Sequence, residues 1–116
     1  AQGEVAVFYK SWLADHPDAE NFLGLFVKAN FSPGGPNYTH HCHPEFEALY
    51  QQALALSNDD ARRRALYMAM DSLVHSEMPV IPLFHDRVTH VLRQDVTGWV
   101  ISPVNRLDLR RVRKGA

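Results

Sequence analysis

An apolar run near the start of the sequence limits the fold most, because it predicts a β-strand without a nearby partner. Residues 5–9 are apolar, β-branched or aromatic, which is typical of a buried strand. No second strand-like pattern occurs before residue 80. A buried sheet needs paired strand edges and two covered faces. We therefore predict that partners of this strand lie in chain beyond these 116 residues.

Three helices are predicted between the strand-like regions. Turn-forming residues at 15–18 precede the first helix, over residues 19–27. The second begins at Pro44, where a missing backbone N–H is harmless, and apolar residues then recur at helical spacing. The third is expected over residues 61–76, and Pro79 ends it. Residues 57–60 separate the last two helices and cap the third. The residues of the third helix that are expected to face inward are Ala65, Leu66, Ala69, Met70, Leu73 and Val74.

After Pro79 the pattern changes from helical to strand-like. Short strands are expected in four places, separated by glycine, serine and proline; they are residues 80–85, 88–92, 96–101 and 107–112. The predicted order is therefore one strand, three helices and several short strands. This mixed order indicates an α/β fold of which the chain is only a part.

Composition and charge exclude several classes of function. The formal net charge is −1, so the chain has no general attraction for nucleic acid, and the basic stretch at 110–114 is predicted to be a solvated tail. No apolar run is long enough to span a bilayer. Residues 1–5 carry no signal peptide, so any export signal is expected upstream. Cys42 is the only cysteine, which excludes a disulfide within the chain.

No residue pattern indicates an enzyme, a cofactor or a metal. The sequence lacks a Gly-x-Ser-x-Gly nucleophile motif. The run of His40, His41, Cys42 and His43 contains good metal ligands, but adjacent side chains point in different directions and no spaced partner follows. We predict that this run is a surface loop, and the role of its four residues is left open.

Three stretches in fixed order resemble dipeptide- and oligopeptide-binding proteins, family 5 of the extracellular solute-binding proteins. They are WLADHPDAENFL at 12–23, NY at 37–38 with PEFEAL at 44–49, and RALY at 64–67 with MPVIPL at 78–83. The resemblance implies a periplasmic-binding-protein-like (type II) fold with two lobes, of which this chain is the C-terminal fragment. It assigns residues 1–84 to the second, C-terminal ligand-binding lobe. Residues 85–116 would be the return strands and tail on the N-terminal lobe.

The resemblance also implies a ligand-binding site around Asp15. In peptide-binding relatives, the aspartate of a Trp-x-x-Asp motif binds the α-ammonium of the peptide, and the matching residue is Asp15. Trp12, Leu13 and Ala14 would line the cleft beside it. Without the resemblance, Asp15 is better interpreted as the start of a turn.

By this resemblance the chain belongs to the receptor of an ABC importer and is not an enzyme. The expected partners are a peptide or other small solute, the missing N-terminal part of the receptor, and the membrane permease. The expected location is periplasmic or extracytoplasmic, and a lipid anchor on the upstream N-terminus is one open option. The alternative from the residues alone is a free-standing helical adaptor or dimerisation domain.

Overall fold

The chain divides into two compact units, Ala1–Ile81 and Pro82–Ala116. The computed structural model describes residues 6–56, 60–102, 104 and 106–115. The first unit holds the helices and the second a short pair of strands. The division lies close to the predicted lobe boundary after residue 84, although the assignment of the two units to two lobes stays a prediction.

Three α-helices form in the first unit, as predicted. They are α1 (Glu20–Leu23), α2 (Pro44–Ala55) and α3 (Asp60–Glu77). Two 3₁₀ turns follow α1, at Gly24–Phe26 and Lys28–Asn30, so the predicted first helix is partly 3₁₀. The predicted cap at residues 57–59 lies outside the described residues.

The start of α2 follows from its first residues. His43 has an extended backbone, and its ring Nδ1 accepts a hydrogen bond of 3.4 Å from the backbone N–H of Phe46. Pro44 occupies the first turn, where helical N–H groups have no partner. Glu45 and Glu47 add negative charge at the positive end of the helix dipole.

The hydrophobic core lies between α2, α3 and the segment around α1. Phe46 and Met70 are completely buried, and the ring of Tyr50 stacks on that of Phe46 with centroids 6.5 Å apart. Other buried core residues are Leu23, Val27, Ala53 and Val74. The prediction of inward positions on α3 is confirmed for Met70 and Val74, with Leu66 and Leu73 partly buried. It is wrong for Ala65 and Ala69, which are exposed.

A buried asparagine organises the loop between α1 and α2. The side chain of Asn37 is fully buried, and its Nδ2 donates to the carbonyl oxygens of Val27 (3.1 Å) and His41 (3.0 Å). Its Oδ1 accepts from the hydroxyl of Thr39 at 2.9 Å. A buried amide with all these partners has little freedom to move, so it fixes the loop against the core.

The predicted first strand is wrong for its described residues. Residues 7–14 have no regular secondary structure, and most of them are exposed, with Val7 86% and Tyr9 70% accessible. The physical reason is the missing partner strand, because a strand is stabilised by hydrogen bonds to a neighbouring strand. None of the described residues supplies such a neighbour for this segment.

The second unit contains far less sheet than predicted. Its strands are β1 (Val96–Thr97) and β2 (Arg113–Lys114), which pair antiparallel with Val96 opposite Lys114. Gly98 follows β1 with φ of +74°, and a Cβ there would lie 2.0 Å from the carbonyl oxygen of Arg111, so this position needs glycine. The predictions of strands over residues 80–85 and 88–92 are wrong, as is the one over 107–112.

The chain is thus a small, helix-rich α/β piece with little sheet. The second unit exposes many large apolar side chains, among them Leu83, Phe84, Val88, Val91 and Leu107. Within the described ranges, no helix is both long enough and apolar enough to cross a membrane.

Candidate functional site

The predicted ligand-binding residues lie together in a short segment, residues 12–15, that leads into α1. Asp15 and Leu13 are exposed, whereas Trp12 and Ala14 are partly buried. The chain bends at residues 15–18 immediately after this segment. The bend sets the exposed Asp15 at a corner of the chain.

Asn21 on α1 attaches this segment to the helix. Its Oδ1 accepts two hydrogen bonds, one of 2.8 Å from the indole N–H of Trp12 and one of 3.2 Å from the backbone N–H of Asp15. One oxygen therefore fixes both the ring of Trp12 and the backbone of Asp15. The sequence did not predict this role for Asn21, because it depends on the bend that brings α1 back beside residues 12–15.

A chain of hydrogen bonds continues from Asn21 into the core. The Nδ2 of Asn21 can only donate, so the Nδ1 of His16 accepts this bond of 3.3 Å. The protonated Nε2 of His16 then donates to Oε2 of Glu20 at 3.1 Å. The other carboxylate oxygen of Glu20 accepts from the hydroxyl of Tyr50, which is buried.

Tyr50 is the hydrogen-bond donor at the buried end of this series of hydrogen bonds. Burial raises the pKa of the Tyr50 hydroxyl well above its usual value, and its hydrogen bond to the Glu20 carboxylate raises the pKa further. The hydroxyl consequently keeps its proton and orients Glu20. The only sequence signal for this series of hydrogen bonds was the helical register, which turns Tyr50 inward on α2.

A cluster of aromatic rings lies next to the same segment. We define the aromatic surface as Phe8, Trp12 and Tyr38. The ring of Phe8 lies 6.1 Å from that of Tyr38, at an angle of 60°. The ammonium of Lys10 lies 3.3 Å from the ring centroid of Tyr38 and 5.3 Å from that of Trp12. The sequence did not predict this contact, which joins residues far apart in the chain.

A second polar network ties the entry of α1 to α3. Asp18 accepts from the backbone N–H of Glu20 (2.9 Å) and from the guanidinium of Arg63 (2.6 Å), which also donates to the hydroxyl of Tyr67. Burial alone would raise the pKa of Asp18, but the bonds from Glu20 and Arg63 outweigh it and lower the pKa below its usual value. The network holds the bend that follows Asp15.

We expect Arg63→Gln to lower the melting temperature at pH 7. We also expect the melting temperature of this variant to fall less between pH 7 and pH 3 than that of the unaltered chain. The pKa of Asp18 is lower in the folded chain than in the unfolded chain, where it is about 3.9. The ionised carboxylate therefore stabilises the fold above about pH 4, and that stabilisation is lost as the pH falls through the folded pKa. Thermal unfolding followed by circular dichroism at pH 7 and pH 3 measures both effects.

Arg64→Gln is the matched control for this prediction, because Arg64 is an exposed arginine beside Arg63 on α3. Its melting temperature should follow that of the unaltered chain at both pH values. Equal behaviour of the two variants would contradict a stabilising role for the contact between Arg63 and Asp18.

Side chains of the histidine run, residues 40–43, stabilise the loop between α1 and α2. His40 stacks on Phe31 with centroids 4.8 Å apart, and the Nε2 of His41 lies 2.5 Å from Oε2 of Glu77 at the end of α3. His43 caps α2, while Cys42 is exposed. The run forms the predicted loop, with His40 and Cys42 exposed, but the side chain of His41 is only 8% exposed. Among the described residues, no group of three His, Cys, Asp or Glu side chains is placed to hold a metal ion.

Comparison with known proteins identifies relatives along nearly the whole chain. It is 32% identical over 111 residues to di/tripeptide-binding protein 2 of Pseudomonas aeruginosa, which covers 96% of this chain and 21% of that protein. It is 30% identical over 104 residues to the dipeptide-binding protein of Escherichia coli, covering 90% of this chain and 19% of that protein. With heme-binding protein A of Haemophilus influenzae it shares 31% identity over 102 residues, 88% of this chain and 18% of that protein.

The chain spans about a fifth of the length of these relatives. No family model matches it, and no solved structure gives a significant match. The relatives are binding and transport proteins and not enzymes.

Over most of its length, the chain is therefore homologous to solute-binding proteins of transport systems. Among these it matches a segment of the dipeptide- and oligopeptide-binding proteins, family 5 of the extracellular solute-binding proteins, which confirms the resemblance drawn from residues 12–23, 37–49 and 64–83.

Proposed function

We propose that this chain is part of the extracytoplasmic receptor of an ABC importer, and that the receptor binds a peptide or a related amine-bearing solute between two lobes. The homology to di- and tripeptide-binding proteins supports this proposal most directly. The same homology favours a receptor over a free-standing helical adaptor. The chain has no catalytic role in this proposal.

Asp15 is the proposed contact for the ammonium of the ligand. Its carboxylate lies at an exposed corner, and its backbone is fixed by Asn21. A carboxylate and an ammonium form short, charge-assisted hydrogen bonds, which strengthen once a closing cleft excludes water. A ligand without the cation would enclose the charge of this carboxylate without an ion pair to the ligand in return, which disfavours its binding.

Trp12, Leu13 and Ala14 are the proposed wall beside Asp15. They lie in a stretch of chain that forms no strand in the described structure. Backbone groups of this kind can pair with an extended peptide, as in receptors that add a peptide strand to a sheet edge.

In the proposed receptor, residues 1–84 belong to the second lobe and residues 85–116 return to the first, with a hinge between the lobes. A ligand that touches both lobes stabilises the closed form by its higher affinity for that form. The membrane permease would then recognise the closed receptor. A location outside the cytoplasmic membrane follows from the role, and a lipid on the upstream N-terminus would keep the receptor near the permease.

A thermal-shift experiment on the full-length protein that contains this segment tests the proposal. Dipeptides and tripeptides are added, each with a free N-terminus and each N-acetylated. A ligand at about 100 times its Kd should stabilise the folded protein by about 2.7 kcal/mol. The proposal predicts stabilisation by the free peptides and none by the acetylated ones.

Haem is added as a further ligand in the same thermal-shift experiment, because one relative is named a heme-binding protein. Stabilisation by haem and by no peptide would overturn the proposed ligand class while leaving a solute receptor. Equal stabilisation by free and acetylated peptides would instead leave the peptide in place and remove the proposed role of the ammonium.

A further inference from the structure

We propose that the aromatic surface is a binding site for a cationic side chain of the ligand, and that Lys10 occupies this site in the free chain. This inference rests on the proposed function, because it names the ligand class: peptides or amines that carry a lysine-like or arginine-like group. Lys10 would then act as a competitor that a better cation displaces.

The position of Lys10 shows that the rings attract a cation. The faces of tryptophan and tyrosine carry negative charge density and attract an ammonium within about 6 Å of the ring centroid. The Lys10 ammonium meets this condition for two rings at once, at 3.3 Å from Tyr38 and 5.3 Å from Trp12. Phe8 borders Tyr38 and extends the apolar rim of the site.

One ring and the loop beside another are held by hydrogen bonds, whereas Lys10 is not. Asn21 holds the indole of Trp12, and Tyr38 directly follows the fully buried Asn37. Lys10 itself is exposed, and no carboxylate among the described residues lies within salt-bridge distance of it. A compact ammonium on a flexible four-carbon stem leaves such a site more readily than the rings can move.

The site adjoins the proposed ammonium contact. The indole N–H of Trp12 and the backbone N–H of Asp15 donate to the same oxygen of Asn21, so one ring of the aromatic surface lies beside the backbone of Asp15. A ligand held at Asp15 by its α-ammonium could reach the rings with a side chain close to its N-terminus. A ligand cation enclosed in a closed cleft gains more from the rings than the solvated Lys10 does, because cation–π attraction strengthens on desolvation.

The test uses two probes that cannot rely on Asp15. N-acetyl-lysine N-methylamide carries a cationic side chain but no free α-amine, and N-acetyl-norleucine N-methylamide is its uncharged counterpart. Each is titrated into the full-length protein that contains this segment, with NMR detection of the Trp12 indole N–H and the Tyr38 ring; spectra of Trp12→Phe and Tyr38→Phe assign the two signals by their loss. We expect the lysine probe to shift both signals and the norleucine probe to shift neither.

Variants then identify the site and its competitor. Lys10→Met should tighten binding of the lysine probe about fivefold, as expected when a cation–π competitor of ordinary strength is removed. Tyr38→Leu should weaken it by about the same factor, whereas Tyr38→Phe keeps the ring and should restore it. Circular dichroism of each variant checks that the helical unit is folded.

Two results would overturn the inference: equal affinity of the two probes, or an unchanged Kd of the lysine probe in Lys10→Met. Because both probes are acetylated, failure here is distinct from failure of the proposed amine contact. A positive result with these probes beside a negative peptide screen would keep the cation site and reject the peptide receptor.

Discussion

Asp15→Asn is expected to weaken binding of a free dipeptide to the full-length protein by about tenfold to a hundredfold. Hydrogen bonds to charged groups contribute about 1.5–3 kcal/mol, and each 1.4 kcal/mol is a factor of ten in affinity. Asparagine keeps the size of the side chain and loses the negative charge, so the change isolates the ion pair. Isothermal titration calorimetry with one dipeptide, free and N-acetylated, measures the effect.

Asp71→Asn is the matched control, since it removes the same charge from an exposed position on α3. Its affinity should be that of the unaltered protein. Asn21→Ala should also weaken the free dipeptide, because it releases Trp12 and the backbone of Asp15 without removing the carboxylate. If Asp15→Asn binds the free dipeptide normally, Asp15 is a turn residue and the ammonium contact lies elsewhere.

Phe46→Ala is expected to lower the free energy of unfolding of the helical unit by about 3–5 kcal/mol. Removing a buried phenylalanine loses its transfer free energy and leaves a cavity that the surroundings fill only in part. Phe46 is completely buried and contacts the rings of Phe26, His41 and Tyr50. A loss of this size is a large share of the stability of a small domain.

Urea unfolding followed by circular dichroism at 222 nm measures this loss. Leu54→Ala is the control on the same helix, because Leu54 is 49% exposed and should cost much less. Phe46→Leu, which refills part of the cavity, should fall between the two. A loss below about 1 kcal/mol for Phe46→Ala would mean that the core of the chain is not centred on this ring.

The helices could be predicted from the sequence because their signals are local. Apolar residues at helical spacing identified α2 and α3, and Pro44 after His43 marked the start of α2 correctly. Strands depend on partners that are distant in sequence, so the same local reasoning placed strands at residues 80–92 where none forms. The strand pairing that does form, Val96 with Lys114, joins residues that no local pattern relates.

For the proposed site, the resemblance supplied the candidate residues, and their location stays a prediction; the supporting contacts come from the structure. Trp12 and Asp15 were identified by resemblance, and the structure places them side by side on Asn21. The link from Glu20 to Tyr50 and the contact of Lys10 with Tyr38 depend on how the loop and helices fold back. Side-chain pairs of this kind carry no periodic signal, and only the folded chain brings them together.

The exposed thiol of Cys42 has a practical consequence for following ligand capture. These 116 residues contain one cysteine, and it lies on the same loop as Tyr38, whose base is fixed by Asn37. A maleimide fluorophore would therefore attach to this chain at a single point without any substitution. Its emission would report a solute arriving at the loop in real time, and every residue of the proposed wall would remain unchanged.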